Sequence, residues 1–274
     1  MAAKRHASVS DTRFVAVGDV MVDVTAAGLG HAARISLAPG GSAVNAAIWA
    51  AVAGADATVV GRVGDDLGGR ALRMALQKRG VGSELSVDLE AATGTFLVVD
   101  GEIRADRGAN ARFSPDDLPD PLEADVVLVS GYLPGPTVAK ALERAEATWL
   151  ALAPALLDPL PPGANAILVD DVEARRLIGS APDEAARMLG ERFRLACVTC
   201  GADGAVAVLD GRLETSRPEP VDSASQVGAG DAFAAGLLVA LTRGAGLRAA
   251  LDAGCGLGAT VAAGLPSEAS ARRP

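Results

Sequence analysis

At 274 residues, half of them apolar and 22% charged, the chain can bury a sizeable core and has a globular rather than a disordered composition. A net charge of −9, with no basic run beyond Lys4-Arg5 and Arg272-Arg273, excludes a nucleic-acid partner, which needs a concentrated basic face. No window reaches the ~20 uninterrupted apolar residues of a bilayer span, and Met1 to Arg13 lacks the apolar core of a signal peptide, so the chain reads as cytoplasmic with no membrane partner. Three cysteines make no disulfide framework at this size, and the C-x-x-C of Cys197 and Cys200 falls on a strand pattern that points them to opposite faces.

In chain order, Phe14 to Val20 is a buried first strand ending in Gly18-Asp19, with Asp23 close behind. Residues 24–39 have no helical stripe and read as an extended excursion with a strand at Arg34 to Leu37. Pro39-Gly40-Gly41-Ser42 stops it, and Ser42 is placed to cap a helix running to about Ala53. Ala57 to Gly61 is a buried strand. The spacing of Leu67, Ala71, Met74-Ala75 and Lys78 predicts an amphipathic helix closed by Gly80. Thr95 to Val99 and Ile103 to Asp106 flank Asp100-Gly101, a two-residue hairpin signal.

From Asp125 the rhythm is βα. Strands are expected at Val126 to Ser130, Trp149 to Ala153, Ala166 to Val169 and Leu195 to Thr199. Helices fall near Pro136 to Glu146, Glu173 to Ile178 and Asp183 to Glu191. Val206 to Leu209 and Arg212 to Thr215 form a second hairpin, and helices at Ala229 to Thr242 and Leu247 to Ala263 finish the chain. Strands alternating with helices argue for a mainly parallel sheet covered on both faces.

The stretch Val227 to Gly236 concentrates the chemistry. Gly228-Ala229-Gly230 opening a helix presents unpaired amides and the positive end of the helix dipole, a setting for an anion. Asp231 in that first turn is either a residue suited to a helix start or an acceptor beside an anion hole, able to take a proton from a hydroxyl. Other readings drop away. There is no G-x-x-x-x-G-K-[ST], no G-x-G-x-x-G after the first strand, and neither His6 nor His31 lies near a nucleophile motif. The G-x-G-x-G at Gly254 to Gly258 falls within a helix and reads as close packing. What remains is Asp23, Gly40-Gly41, Asn45, Asp170, Glu173, Gly201, Gly204 and Gly228 to Asp231. Each has a turn or cap explanation by itself. Together they gather where open α/β sheets bind ligands, beyond the carboxyl ends of the strands, and short Asp and Asn side chains suit polyol hydroxyls.

In this combination the sequence resembles the ribokinase-like (PfkB) carbohydrate kinases, from Phe14 to about Ser267. Gly40-Gly41-Ser42-Ala43-Val44-Asn45-Ala46-Ala47 with Gly64-Asp65-Asp66-Leu67-Gly68 is similar to the family's N-terminal signature. Val227 to Gly236 is similar to its C-terminal one, and Ala92-Thr93-Gly94 and Gly108 to Pro115 also fit. The resemblance implies one kinase domain over 1–274, with a small β lid from about 24–39 and 95–106. It implies ATP-dependent phosphorylation of a hydroxyl on a small-molecule sugar or sugar acid. Asp23, Gly40, Gly41 and Asn45 would hold the sugar and Asp231 would be the base, with Gly228, Ala229 and Gly230 stabilising the transferring phosphoryl group. Asp170 and Glu173 stand at the family's Asn-x-x-Glu element and would organise Mg²⁺, while Thr199, Gly201 and Gly204 would flank the nucleotide.

Three departures from the family pattern stand out: Asp170 in place of Asn, Ser225-Gln226-Val227 before the Gly-Ala-Gly-Asp turn, and a short C-terminal loop at Gly264 to Ser267. The loss of an acidic residue at Ser225, with only Asp222 nearby, implies catalysis nearly independent of K⁺. Arg107 is either an exposed hairpin charge or a partner for a substrate carboxylate, as in 2-keto-3-deoxygluconate. A nucleoside kinase of the same fold and a non-catalytic sugar- or nucleotide-binding protein are the alternatives. The short excursion points to a monomer or a modest homodimer.

Overall fold

The computed structural model describes residues 12–155, 157–221 and 227–264. The first half of the chain forms β1 (Arg13–Val17), β2 (Met21–Ala27), β3 (Arg34–Gly40), α1 (Ser42–Val52), β4 (Asp56–Gly64), α2 (Leu67–Lys78), β5 (Gly82–Asp88), β6 (Gly94–Val99) and β7 (Glu102–Asp106). Then come β8 (Leu122–Glu123), β9 (Val126–Ser130), α3 (Gly135–Arg144), β10 (Ala145–Glu146), β11 (Trp149–Ala153), β12 (Ala166–Asp170) and α4 (Asp171–Ile178). The last third holds α5 (Pro182–Gly190), β13 (Leu195–Thr199), β14 (Ala205–Leu209), β15 (Arg212–Ser216), α6 (Ala229–Thr242) and α7 (Leu247–Ala262).

A nine-stranded sheet runs β15-β14-β13-β12-β11-β9-β1-β4-β5, parallel except where β14 and β15 close one edge antiparallel. Its interior strands are continuous apolar runs because both faces are covered. Phe14, Val59, Leu128, Ala151 and Leu168 point to the side packed by α1, α6 and α7. On the opposite face Val17, Val127, Val129 and Leu152 meet Val138, Ala141 and Leu142 of α3. Further along that face Ile167, Val169 and Val198 meet α4 and α5. Helices α6 and α7 touch where side chains are missing: a Cβ on Gly254 would lie 2.9 Å from the Phe233 ring. The glycines between Gly254 and Gly258 therefore sit inside α7, and Gly254 serves packing.

The excursion and the Asp100-Gly101 hairpin do join, as a four-stranded sheet ordered β3-β2-β6-β7. Its register sets Asp23 opposite Ala38 and Phe96, and Phe96 opposite Ala105, so these side chains share one face. Asp100 and Gly101 both take positive φ, 47° and 86°, as a tight hairpin turn requires. Buried Asn110 anchors the passage between the two sheets. Its Oδ1 accepts from Val20 N at 2.9 Å and its Nδ2 donates to Val20 O at 3.0 Å.

Several expectations need correction. The first strand stops at Val17 because the chain turns at Gly18 to enter β2, so the excursion holds two strands and the first begins at Met21. Gly41 rather than Ser42 is the N-cap of α1; the Ser42 hydroxyl instead bonds Ser130 Oγ at 2.9 Å. Helix α2 exists, but its buried face is Gly69, Leu72 and Leu76, while Leu67 and Met74 are 82% and 70% exposed. A three-four count from Leu67 simply chose the wrong stripe. Strand β5, Gly-Ser-Glu-Leu-Ser-Val-Asp, was not expected; as an edge strand it carries no apolar run. Among the described residues no helix is long and apolar enough to cross a membrane.

Candidate active site

The N-cap of helix α6 is Gly228, in the left-handed region at φ 79°, a conformation that favours glycine, and it has no side chain to cap the helix. The amides of its first turn lie at the positive end of the helix dipole, a setting for an anion. This turn faces a cavity of about 680 Å³ at the carboxyl ends of β1, β9, β11, β12 and β13, with the small sheet as its other wall. Asp231 lines that cavity and accepts from Asn45 Nδ2 at 3.1 Å. Burial pushes the Asp231 carboxyl up to about 7; the Asn45 bond opposes the shift and the charge of Asp23 adds to it. A carboxylate poised near neutrality beside the amides of a helix start can accept a hydroxyl proton while an anion is held.

Asp23, Gly41, Asn45 and Arg107 all line the same cavity. Gly40 does not, and its part is to make room: a Cβ there would overlap the Asp23 carboxylate at 2.0 Å. Gly41, at φ 92°, lets the backbone pass Asp19, whose carbonyl oxygen would sit 2.3 Å from a Cβ. Asp23 Oδ1 is buried with no hydrogen-bond partner, and burial raises its pKa to about 6. Arg107 follows β7 and donates from Nη2 to Asp19 Oδ1 at 3.2 Å. Asp19 is buried, which raises its pKa, while the Arg107 charge and hydrogen bond oppose the rise. Sequence reasoning passed over Asp19 as a strand end; the turn at Gly18 is what swings it into the cavity.

At the opposite end lie Asp170, Glu173 and Thr199. Asp170 is the N-cap of α4: its Oδ1 accepts from Glu173 N at 2.7 Å, and Glu173 Oε2 accepts from Asp170 N at 3.0 Å. Burial lifts Glu173 to about 7; the bond from the Asp170 amide opposes this and the Asp170 charge adds to it. Each carboxylate thus spends one oxygen on the cap and keeps the second for another partner. Gly201 and Gly204 are not among the lining residues and shape the turn after β13, where Cys200 N donates to Gly204 O at 2.7 Å. Ala229 contributes backbone to the α6 turn without lining the cavity. Tyr132 and Ser130, also passed over, line it from the end of β9. Burial raises the Tyr132 pKa, and Glu173, Asp231, Asp170 and Asp19 raise it further, a measure of how acidic the walls are. Asp222, Ser225, Gln226 and residues 265–267 lie outside the described residues.

Comparison with known proteins fits this geometry. The chain is 30% identical over 264 residues to the fructokinase of Klebsiella pneumoniae, covering 82% of this chain and 83% of that one. It is 32% identical over 263 residues to the 2-dehydro-3-deoxygluconokinase of Thermoproteus tenax, covering 83% and 81%. Among solved structures, a ribokinase from Thermotoga maritima superposes with TM-score 0.80 at 20% identity, covering 94% and 95%. An adenosine kinase from Sinorhizobium meliloti gives 0.79 at 22%, covering 92% and 94%. The fold is thus that of the ribokinase-like kinases, α/β proteins with a large, mostly parallel sheet. Residues 11–265 match the model of the pfkB family carbohydrate kinases, and the chain belongs to that family. It is a phosphotransferase of the carbohydrate kinase class.

Proposed function

We propose that this enzyme moves the γ-phosphoryl group of ATP, the donor its family membership implies, to a hydroxyl of a small sugar bound between α1 and the small sheet. The observation that carries the reading is Asp231: one carboxylate, near neutral pKa, bonded to Asn45 and set in the first turn of a helix whose N-cap is Gly228. Asp23 and Asn45, with the backbone at Gly40-Gly41 and the Arg107 guanidinium, bind the sugar. Asp231 takes the proton of the attacking hydroxyl as its oxygen bonds to phosphorus and the bond to the leaving ADP oxygen breaks. The amides of Gly228, Ala229 and Gly230 hold the equatorial oxygens, so positioning and charge stabilisation supply most of the rate.

Thr199 and Asp170 border the nucleotide, with Gly201 and Gly204 shaping the turn behind it. The free oxygens of Asp170 and Glu173 suit a hard cation that keeps most of its water. Among the described residues no cluster of three or more such ligands makes a closed metal site, which fits an ion arriving with the nucleotide. Bound there, Mg²⁺ would neutralise charge on the triphosphate. The small sheet, 24–39 with 95–106, serves as a lid, and the whole chain works as one kinase domain in the cytoplasm, as monomer or homodimer.

The test is ADP release with a panel of sugars, sugar acids and nucleosides, comparing the wild type with Asp231→Asn. Turnover of at least one sugar by the wild type, lost in the variant while sugar still binds, is the expected result. Equal turnover by both removes Asp231 from its role.

A further inference from the structure

The sequence leaves Arg107 open as the receptor of a substrate carboxylate, and one relative named above acts, by its name, on a sugar acid. The structure gives that guanidinium a carboxylate from the protein itself. We infer that Asp19, by occupying Arg107, makes the sugar end of the cavity selective for a neutral polyol and excludes carboxylate-bearing sugars. This rests on the kinase reading above and narrows its substrate.

Three observations converge. The first is geometric. A guanidinium recognises a carboxylate best through a fork of two parallel N–H groups. Nη2 of Arg107 is engaged by Asp19, and Nε is buried with no partner, out of a ligand's reach. The side fork, which needs Nε, is closed, and a carboxylate approaching the end fork would share Nη2 with the Asp19 carboxylate and meet its like charge. A neutral hydroxyl can take the remaining N–H groups without that repulsion.

The second is charge. Among the described lining residues, Arg107 is the one cation, facing Asp19, Asp23, Asp170, Glu173 and Asp231. Asp19 cancels it locally. The Asp23–Asp231 repulsion is felt in the Asp231 pKa, so a third carboxylate placed between them meets like charge with no free counterion.

The third is hydrogen-bond type. Asp23 Oδ1 has no partner, and Asp231 accepts one of the two Nδ2 hydrogens of Asn45. Three carboxylates, of Asp19, Asp23 and Asp231, face the donors of Arg107 and Asn45 at this end of the site. Sugar hydroxyls donate; an ionised carboxylate only accepts. Asp19 is held in this role from behind, because its carbonyl packs where a Cβ on Gly41 would stand.

The experiment measures kcat/KM, and binding by calorimetry, for D-fructose and D-ribose against 2-dehydro-3-deoxygluconate and D-gluconate. It uses the wild type, Asp19→Asn, Arg107→Gln and the double variant. The wild type should favour a neutral sugar over the acids by about tenfold or more. D19N removes the competing charge, although its amide oxygen still accepts, and should shift that ratio toward the acids by about tenfold, the gain vanishing in D19N/R107Q. A purely structural lesion would lower both classes together and leave the ratio alone. If D19N does not fold, R107Q decides: neutral-sugar KM should rise with no selective loss of acid use. A wild type that binds or turns over an acid in preference to the neutral sugars overturns the inference while leaving the kinase reading intact. So does a folded D19N with an unchanged ratio, or a selective loss of acid use in R107Q. Preferential binding of a neutral sugar with no turnover of any compound sinks the kinase reading instead, and neither binding nor turnover sinks both.

Discussion

Asn45 and Asp231, 186 residues apart in the chain, meet across the cavity at 3.1 Å, the amide nitrogen of one donating to the carboxylate of the other. The contact joins the start of α1 to the start of α6, so the parts of the site proposed to hold sugar and to accept a proton are one unit. It also tunes the Asp231 carboxyl, since the bond favours the charged form that burial disfavours. Rate should therefore rise with pH through about 7, as Asp231 loses its proton. Asn45→Ala removes the bond that lowers the pKa, and the rising limb of the kcat–pH profile should move to higher pH. Asp231→Asn should lower kcat by about 10²–10⁴ with sugar binding within a few-fold. A limb that stays in place in N45A would separate Asn45 from the base.

Stability of the ligand-free protein should depend on pH in a definite sense. Asp231, Asp23 and Glu173 have folded pKa values raised to about 7, 6 and 7 from ordinary values of 3.8, 3.8 and 4.5. The folded state keeps these protons where the unfolded chain has lost them. Their contribution is thus fully present below the unfolded values and disappears as pH rises through the folded ones. Asp88, lowered to about 2, works in the opposite sense but only below its unfolded 3.8. Tm should therefore fall between about pH 5 and pH 8, and D231N should flatten the slope. A Tm that climbs across this range, or an unaltered slope in D231N, would contradict it.

Gly41→Ala should be costly in two ways. A side chain at φ 92° is strained, and its Cβ would stand 2.3 Å from the Asp19 carbonyl oxygen. We expect a loss of about 1–3 kcal/mol in chemical denaturation, the range for a non-glycine residue forced into such a conformation. Sugar KM should rise as Asp19 is displaced. Wild-type stability would show that the backbone here relaxes freely.

Asp170 separates capping from metal recruitment. Asn caps a helix nearly as well as Asp, so Asp170→Asn should leave Tm almost unchanged, whereas Asp170→Ala should cost about 1 kcal/mol. If Asp170 also draws the cation, D170N should raise the Mg²⁺ concentration at half-maximal rate. An unchanged or lower requirement in the Mg²⁺ titration would confine Asp170 to the cap.

The lid assignment predicts added hydrogen-exchange protection over 24–39 and 95–106 when a phosphorylatable sugar binds. Segments that exchange equally with and without sugar would leave the small sheet a fixed wall. Light scattering on the same samples should show a monomer or dimer; a stable tetramer would contradict the expected assembly.

The parts legible in the sequence are those where burial dictates composition. Strands β9, β11 and β13 and helix α6 have the bounds their apolar runs suggest, because a parallel strand covered on both faces has no reason to alternate. Strand β5 and the stripe of α2 were misread where that pressure is absent, at an edge and on a surface helix. The Gly-Ala-Gly-Asp turn announced itself because few residues permit a left-handed cap followed by exposed amides. Asp19 and Tyr132 were silent, since a lone Asp after a strand and a lone Tyr after another carry no spacing signal. Only the sheet order, placing β1 beside β9, brings them to one cavity.

The missing side chain at Gly254 has a consequence beyond packing. A Cβ there would press on the ring and carbonyl of Phe233, which lines the cavity two residues past Asp231. The depth to which the turn at the start of α6 projects is consequently gauged from behind, by a position that does not line the cavity. Random mutagenesis selecting for lost activity should therefore return hits at Gly254 with every ligand-contacting side chain intact. Suppressors should appear at Phe233 as smaller residues that let α6 settle back onto its neighbour. For anyone redesigning this pocket, helix α7 is a shim: trimming or thickening it adjusts the distance between base and substrate without altering the chemistry of either.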